Sequence, residues 1–542
     1  MREFRGKGVS GGIAFGTLHV YRGVSHTVAD SKTGNIALEL DRLKKTLKQA
    51  DSQLAELYEK ALSEVGSKEA EIFDIHRMML EDEDYLEAIL HKIESEGYVA
   101  EYAVQSAGEQ FSQIFKNTDD PYMQARSSDV ADITDRLVRI LLGITEDTVG
   151  NVFSKPTILA AQDLTPSQTI QMDKSYIKAF ITEKGSQNSH TAILARTMNL
   201  PAVIGINEIM QEVYDNNEVI VDGDEGLVFL NPDERTKNRY EEKLRNIMEI
   251  RFALEKMKGL ETVTKTGKGL KLYANVGSLA DIDSALENDA GGIGLFRTEF
   301  IYLDSNDFPT ESEQFDIYSA AAEKMAGKEI VIRTMDIGAD KQMPYFPLDE
   351  EENPALGFRG IRVCLENAEI FKTQLRAILR ASIFGKISIM FPMINSLVEI
   401  HEAKAVVSEV KKELQAEGYR YDDTIEVGIM IETPAAAILS GELAAEVDFF
   451  SIGTNDLTQY TLALDRQNQK LDRFFDLNHK AVLELIRLTA ENAHKHGIWV
   501  GICGDLAMDT ELTEKFLEIG IDELSVPPPE VLKIRSLVRS IS

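Results

Sequence analysis

From Leu270 onward, eight short apolar stretches alternate with stretches of helical spacing, and no other feature of this sequence restricts its fold as tightly. They run over 270–276, 291–297, 329–335, 387–393, 425–431, 447–453, 498–503 and 522–526. Eight β units with helices between them, over about 270 residues, predict a (β/α)8 barrel of the TIM type. No shorter repeat is evident. In such a barrel the C-terminal strand ends and the loops after them carry the chemistry.

Those ends hold unusual polar residues. Strand two ends in Gly294-Leu-Phe-Arg297-Thr-Glu299, strand three in Ile332-Arg333-Thr-Met-Asp336 and strand five in Met430-Ile-Glu432. Strand six runs into Asn455-Asp456, and strand seven into Gly501-Ile-Cys503-Gly-Asp505. Arg297 and Arg333, with Lys341, Arg359 and Arg466 on nearby loops, are convergent cations suited to bidentate bonds with phosphate or carboxylate. Glu432 and Asp456 are hard oxygen donors that fit octahedral Mg²⁺ better than zinc, and no zinc-type Cys/His spacing occurs. The ligand these residues point to is a small phosphorylated carboxylate. Cys503, at the same rim, has two readings: a thiol that gives or takes a proton at a substrate carbon, or a small buried hydrophobe. Cys364, between Val363 and Leu365, reads as core.

The remainder of the chain divides by character, and at 542 residues roughly three or four units are expected. Residues 1–22 hold a Gly-rich opening and a strand over Ile13–Val20. An all-α block follows, with helices expected near 36–65, 68–79, 83–96, 99–116 and 127–144. Strands return over 156–160, 177–181, 202–205, 219–222 and 226–230. The economical partition is an α/β domain made of residues 1–22 and 145–232, interrupted by a helical insertion over 23–144. A linking helix over 233–262 then leads to the barrel, 263–542.

Within the α/β domain, the strand 177–183 breaks at Gly185, and Thr191–Met198 has helical spacing, which places His190 at a helix N-terminus. Free N–H groups and the positive end of the helix dipole favour an anion there, with the hydroxyls of Ser189 and Thr191 alongside. His190 is therefore read as a phosphoryl carrier; the plainer reading is a polar capping residue.

A formal charge of −32 and a pI near 4.8 argue against nucleic acid or an anionic membrane as the main partner, leave room for a basic protein, and also serve solubility. Two cysteines, no signal peptide and no apolar run of membrane-spanning length predict a cytoplasmic protein with reduced thiols.

Taken together, these motifs resemble the Enzyme I family, the phosphoenolpyruvate-protein phosphotransferases of the bacterial sugar phosphotransferase system. Ser189-His190-Thr191, Gly294–Phe300, Arg333–Lys341, Asp448–Tyr460 and Gly501–Gly504 carry the resemblance, which spans essentially the whole chain. It implies that His190 attacks phosphoenolpyruvate and passes the phosphoryl group to a histidine of the carrier HPr. It also implies that Arg297 and Arg333 hold phosphate, that Asn455 and Arg466 help bind substrate, that Glu432 and Asp456 ligate Mg²⁺, and that Cys503 protonates the enolate carbon. His190 must then swing between the barrel and HPr, with hinges near the helix after Asp233. The helical insertion corresponds to the HPr-docking domain, with Glu69, Glu71, Asp74, His76, Met79, Glu81 and Glu83 as contacts, and the barrel to a homodimer interface. Ser186 stands where the family often has glycine, which stiffens the loop, and Phe358 stands where tryptophan is frequent. The end at Ser542 comes earlier than the resemblance implies, which leaves barrel stability and dimer strength open.

Two other readings compete. Pyruvate phosphate dikinase and phosphoenolpyruvate synthase pair a similar barrel with an ATP-binding domain, yet this chain has no P-loop and its insertion is all helical. A non-catalytic regulator, or a paralogue serving a nitrogen-regulatory carrier, is disfavoured by intact His190, Arg297, Glu432, Asp456 and Cys503 and by the lack of a sensory domain.

Overall fold

A computed structural model describes residues 1–22, 28–64, 67–118, 121–144, 155–172, 175–185, 189–303, 305–339, 341, 343, 345–466, 468–474, 476 and 478–542. Ser186 lies outside the described residues, and for Glu69 and His190 the backbone alone is described. The chain forms two compact units, Met1–Ile247 and Met248–Ser542.

The first unit is built on one mixed sheet of eight strands. These are β1 (Arg2–Arg5), β2 (Lys7–Ser10), β3 (Ile13–Tyr21), β4 (Thr157–Ala161), β5 (Ile177–Thr182), β6 (Ala202–Ile204), β7 (Glu218–Asp222) and β8 (Leu227–Leu230), in the order β1-β8-β7-β3-β4-β5-β6-β2. The opening residues, expected to give one strand, give three. Glycine makes this fit possible, because a Cβ on Gly8 would lie 2.0 Å from the Gly223 carbonyl oxygen. Successive residues of β4 alternate between the two faces: Ile158 and Ala160 join one apolar cluster, Leu159 and Ala161 the other.

Between β3 and β4 come five helices, α1 (Ile36–Glu64), α2 (Ser67–Leu80), α3 (Glu83–Glu94), α4 (Ala100–Lys116) and α5 (Pro121–Leu142). They share a core that includes Leu54, Phe73, Ile89, Val104 and Leu137. The last helix starts at Pro121, ahead of the expected 127, because proline is well tolerated in a first helical turn, where its missing N–H has no intrahelical partner anyway. A short helix, α6 (Pro166–Gln171), is held by a Thr165/Gln168 capping box. It is followed by α7 (His190–Thr197).

In the second unit eight parallel strands close into a barrel: β9 (Lys271–Val276), β10 (Ile293–Arg297), β11 (Ile330–Arg333), β12 (Ile387–Phe391), β13 (Val427–Ile431), β14 (Phe449–Ile452), β15 (Trp499–Ile502) and β16 (Glu523–Val526). Each pairs with the next, and β16 closes on β9. Every expected strand is present. Some of the surrounding helices start on side-chain caps, with capping boxes at Ser278, Thr310 and Ser396. A large apolar layer includes Ile293, Ile332, Ile389, Ile429 and Leu524 with helix residues such as Leu375 and Ile486, while a separate cluster groups Leu295, Val331, Met390, Met430, Phe449 and Cys503. Phe449 and Trp499, the first residues of β14 and β15, stack with ring centroids 4.4 Å apart at the N-terminal mouth. Packing therefore fills the barrel, and the polar strand ends gather at the opposite mouth.

Candidate active site

Arg297 and Arg333 end adjacent strands as direct Cα register partners. Arg333 is buried and committed: its guanidinium pairs with Glu299 and, at 3.1 Å, with Asp336 Oδ2. Burial pulls its pKa down, but Glu299, Asp336 and Glu432 together outweigh that and raise it. Among the described residues Arg297, by contrast, has no hydrogen-bond or ion-pair partner.

Asp336 joins the cations. Both of its oxygens lie 3.3 Å from Arg359 Nη2, and Lys341 Nζ donates to its backbone carbonyl at 3.1 Å. Burial works to raise its carboxyl, yet the fields of Arg333, Arg359 and Lys341 hold it down at about 2. Lys341 also lies 3.8 Å from Glu299. Three of the expected cations, Arg333, Lys341 and Arg359, therefore meet at Glu299 and Asp336, two acids that the sequence reading quoted but gave no role, whereas Arg297 and Arg466 contact neither. Asp336 was detectable as the acid three positions after Arg333.

Glu432 is buried at the end of β13. Its Oε1 accepts the Met393 N–H at 2.6 Å, an amide aimed by a left-handed backbone (φ +59°) that a methionine rarely adopts. Burial first, then the charges of Asp336 and Asp456, push the Glu432 carboxyl up to about 8. Asp456, in the first turn of the helix Thr454–Leu462, has a buried Oδ1 with no hydrogen bond and only a 3.8 Å ion contact to Arg466. A buried carboxyl raised in part by a neighbouring acid that itself has an orphaned oxygen fits a divalent cation. Among the described residues no group of three or more His, Cys, Asp or Glu can hold a metal unaided, so substrate oxygens and water must complete an octahedral shell.

Asn455 Oδ1 accepts the Asp505 N–H at 2.9 Å, tying the start of the helix Thr454–Leu462 to the segment after β15. Gly504 is required at that crossing, because a Cβ there would lie 2.1 Å from Thr454 Oγ1. Cys503 is 2% exposed inside the barrel, and burial pushes its thiol up to about 12, so it stands as a neutral S–H donor. Cys364 is core, as expected.

In the first unit, Gly185 (φ +115°) turns the chain out of β5, and Ser189 caps α7 by accepting the Ala192 N–H at 3.4 Å. Ala192, Leu194 and Ala195 anchor the helix on the sheet, so His190 opens a fixed helix. Thr191 is fully buried and turns inward.

Three family models match in sequence order: "PEP-utilising enzyme, N-terminal" over 5–126, "PEP-utilising enzyme, mobile domain" over 153–226 and "PEP-utilising enzyme, PEP-binding domain" over 252–542. A phosphoenolpyruvate-protein phosphotransferase from Priestia megaterium is 40% identical over 541 residues, 100% of this chain and 94% of the relative. The chain belongs to the phosphoenolpyruvate-protein phosphotransferase family. The relative of the same name from Bacillus subtilis (strain 168) is 40% identical over 542 residues, covering 100% of this chain and 95% of its own length. A solution structure titled as Enzyme I aligns with 45% of this chain and 99% of its own at 33% identity and a TM-score of 0.39.

For a phosphotransferase of this family, the helical bundle was expected to present an acidic docking face that includes His76 and Met79. Glu71, Glu81 and Glu83 are exposed, and Asp74 pairs with Arg77 at 3.3 Å. His76 is fully buried, with Nε2 3.6 Å from Asp129 and Nδ1 4.0 Å from Asp132, so it has no surface to offer. Met79 packs against the bundle core, whereas Met78 is 71% exposed. Helical phase explains the correction at His76: Ala70, Phe73, His76 and Leu80 share the inward face of α2, Glu71 and Met78 lie on the outward one, and Met79 is half-buried between them.

Proposed function

We propose that this phosphotransferase moves the phosphoryl group of phosphoenolpyruvate to His190 and then to a histidine of HPr, releasing pyruvate, as the first step of sugar uptake through the phosphotransferase system. The observation that carries the reading is the strand-end cluster, in which an uncommitted Arg297 stands beside the anchored Arg333, Asp336 and Arg359. Phosphoryl transfer depends on in-line positioning and charge neutralisation, and a pre-ordered cationic rim serves both.

In this reading Arg297 and Arg333 hold the phosphate, while Lys341, Arg359, Asn455 and Arg466 orient the rest of the substrate. Mg²⁺, bound by Glu432 and Asp456, supplies further charge neutralisation on the transferred group. The His190 imidazole nitrogen forms the new N–P bond as the P–O bond to the enol breaks. Cys503 then gives its S–H proton to the methylene carbon of the enolate, which leaves as pyruvate. Phosphohistidine finally gives its phosphoryl group to HPr, docked on the exposed acidic face of α2 and α3.

His190 and the rim belong to different compact units, and the chain passes from one to the other within the helix Glu234–Glu255. The chemistry therefore needs the His190 unit to approach the barrel for loading, with hinges at the ends of that helix. The protein works in the cytoplasm as a homodimer through the barrel; no described helix is long and apolar enough to cross a membrane. Incubation with phosphoenolpyruvate, Mg²⁺ and HPr should yield pyruvate and phospho-HPr in equal amounts. Phosphorylation of HPr that requires ATP, or pyruvate without phospho-HPr, would contradict it.

A further inference from the structure

Behind the strand ends that carry Arg297 and Arg333 lies a buried amide that the proposed reaction leaves unused. Gln374 sits on the helix Ala368–Ala381 and is 1% exposed. The buried residues around it on that helix, Phe371, Leu375 and Ile378, belong to the apolar layer of the barrel. A leucine at 374 would pack among them, whereas an amide costs free energy there unless it is hydrogen-bonded.

Both ends of the amide are bonded, and the partners belong to the strand ends of the site. Gln374 Oε1 accepts the N–H of Met335, which lies between Arg333 and Asp336 in the chain, at 2.9 Å. Gln374 Nε2 donates to Thr298 Oγ1 at 3.0 Å and to the Tyr318 hydroxyl oxygen at 3.3 Å. Thr298, the residue after Arg297, donates its own hydroxyl proton to the Arg333 carbonyl at 2.8 Å. These partners admit one orientation of the amide. The Met335 N–H can only donate, so the atom facing it is the oxygen, and the nitrogen then faces Thr298. Tyr318 passes its proton to Gln314 Oε1 at 3.1 Å, and Gln314 Nε2 donates to the Pro309 carbonyl at 3.0 Å. Gln314, Tyr318 and Thr298 are all buried, in a low-dielectric setting where such bonds are strong.

The Thr298 hydroxyl thus ties the end of β10 to the end of β11, and Gln374 holds that hydroxyl with one arm and the Met335 amide with the other. The two arginines depend on this clamp unequally. Arg333 is held in addition by Glu299 and Asp336. Arg297 has no hydrogen-bond or ion-pair partner among the described residues, so the course of its backbone is what aims it.

We infer that Gln374 is a positioning residue for phosphoryl transfer: through Thr298 it fixes the end of β10 and so aims Arg297 at the phosphate. This rests on the reading of Arg297 as a phosphate ligand. Gln374 touches no substrate and acts from the helix layer. Where transfer demands aligned geometry, a misplacement of about 1 Å can cost about 10²-fold in rate.

The test is a double-mutant cycle on the full chain, read as kcat/KM for phosphoenolpyruvate with Mg²⁺ and HPr. Gln374→Leu should lower it by about tenfold or more in the wild-type background. Combined with Arg297→Ala, the same change should cost about threefold or less, because an absent guanidinium cannot be misaimed. Thr298→Val keeps the shape and removes the hydroxyl; it should repeat that pattern, and it carries the cycle if Gln374→Leu does not fold. Thr298→Ser keeps the hydroxyl and should stay within about twofold of wild type. Equal losses in the two backgrounds would overturn the inference, since general support of the barrel acts whether or not Arg297 is present. Wild-type kinetics of Gln374→Leu or Thr298→Val would overturn it too, as would a Thr298→Ser loss as large as that of Thr298→Val. Arg297→Ala turning over phosphoenolpyruvate at the wild-type rate would instead sink the reading of Arg297 itself.

Discussion

Arg297 and Arg333 stand side by side in register at the ends of β10 and β11, and only Arg333 is tied down by acids. This asymmetry separates binding from stability. Arg297→Ala should fold normally and lose about 10²-fold or more in kcat/KM for phosphoenolpyruvate. Arg333→Ala should lose activity and also about 3–5 kcal/mol of barrel stability, because Glu299 and Asp336 become uncompensated buried charges. Thermal unfolding alongside pyruvate-release kinetics checks the split; equal Tm losses in both variants would contradict it.

Mg²⁺ binding should release a proton at neutral pH. The ion takes the carboxylate form of Glu432, whose carboxyl is pushed up to about 8 by burial and by Asp336 and Asp456. Below pH 8 the apparent affinity should therefore fall about tenfold per pH unit, and above it level off. In metal-free protein the sign is the converse. Because the folded pKa is raised, the stability Glu432 contributes is fully present below its unfolded value and is lost as pH rises toward and through about 8. Titration calorimetry in buffers of different protonation enthalpy measures the proton count, and a count of zero at pH 7 would contradict the assignment.

Cys503→Ala should retain phosphoryl exchange between the protein and HPr while losing reaction with phosphoenolpyruvate, since only the latter protonates carbon. Equal loss of both activities would indicate a structural thiol, a real competitor for a residue only 2% exposed.

On α2, Met78→Ala should weaken HPr binding without a change in Tm. His76→Ala should lower stability by about 2 kcal/mol or more, since it empties a fully buried site beside Asp129 and Asp132. Titration of HPr into each variant and thermal melts distinguish the two effects. The opposite pattern would restore His76 to the docking surface.

Much of the barrel was legible because apolar stretches bounded by polar turns are a direct imprint of burial. Arg297, Arg333, Glu432, Asp456 and Cys503 stood out for the same reason, as chemistry at the ends of otherwise apolar runs. What pairing in space creates was harder to read. The role of Asp336 depends on Arg359, twenty-three positions away, folding back onto it. The carboxyl of Glu523 lies where only the glycines at 294 and 501, on other strands, leave room for it. The strands β1 and β2 were missed because Gly6 and Gly8 read as a loop, whereas there they permit close approach to the chain around Ile204, Gly223 and Gly226. His76 was misplaced by helical phase, where a slip of one or two residues exchanges core for surface.

The central claim is that His190 carries the phosphoryl group between the barrel and HPr. Incubation with phosphoenolpyruvate labelled in its phosphoryl group, plus Mg²⁺, tests it most directly. Wild-type protein should retain acid-labile label on the peptide that contains His190, and His190→Ala should retain none. Equal labelling of the two proteins would contradict the account.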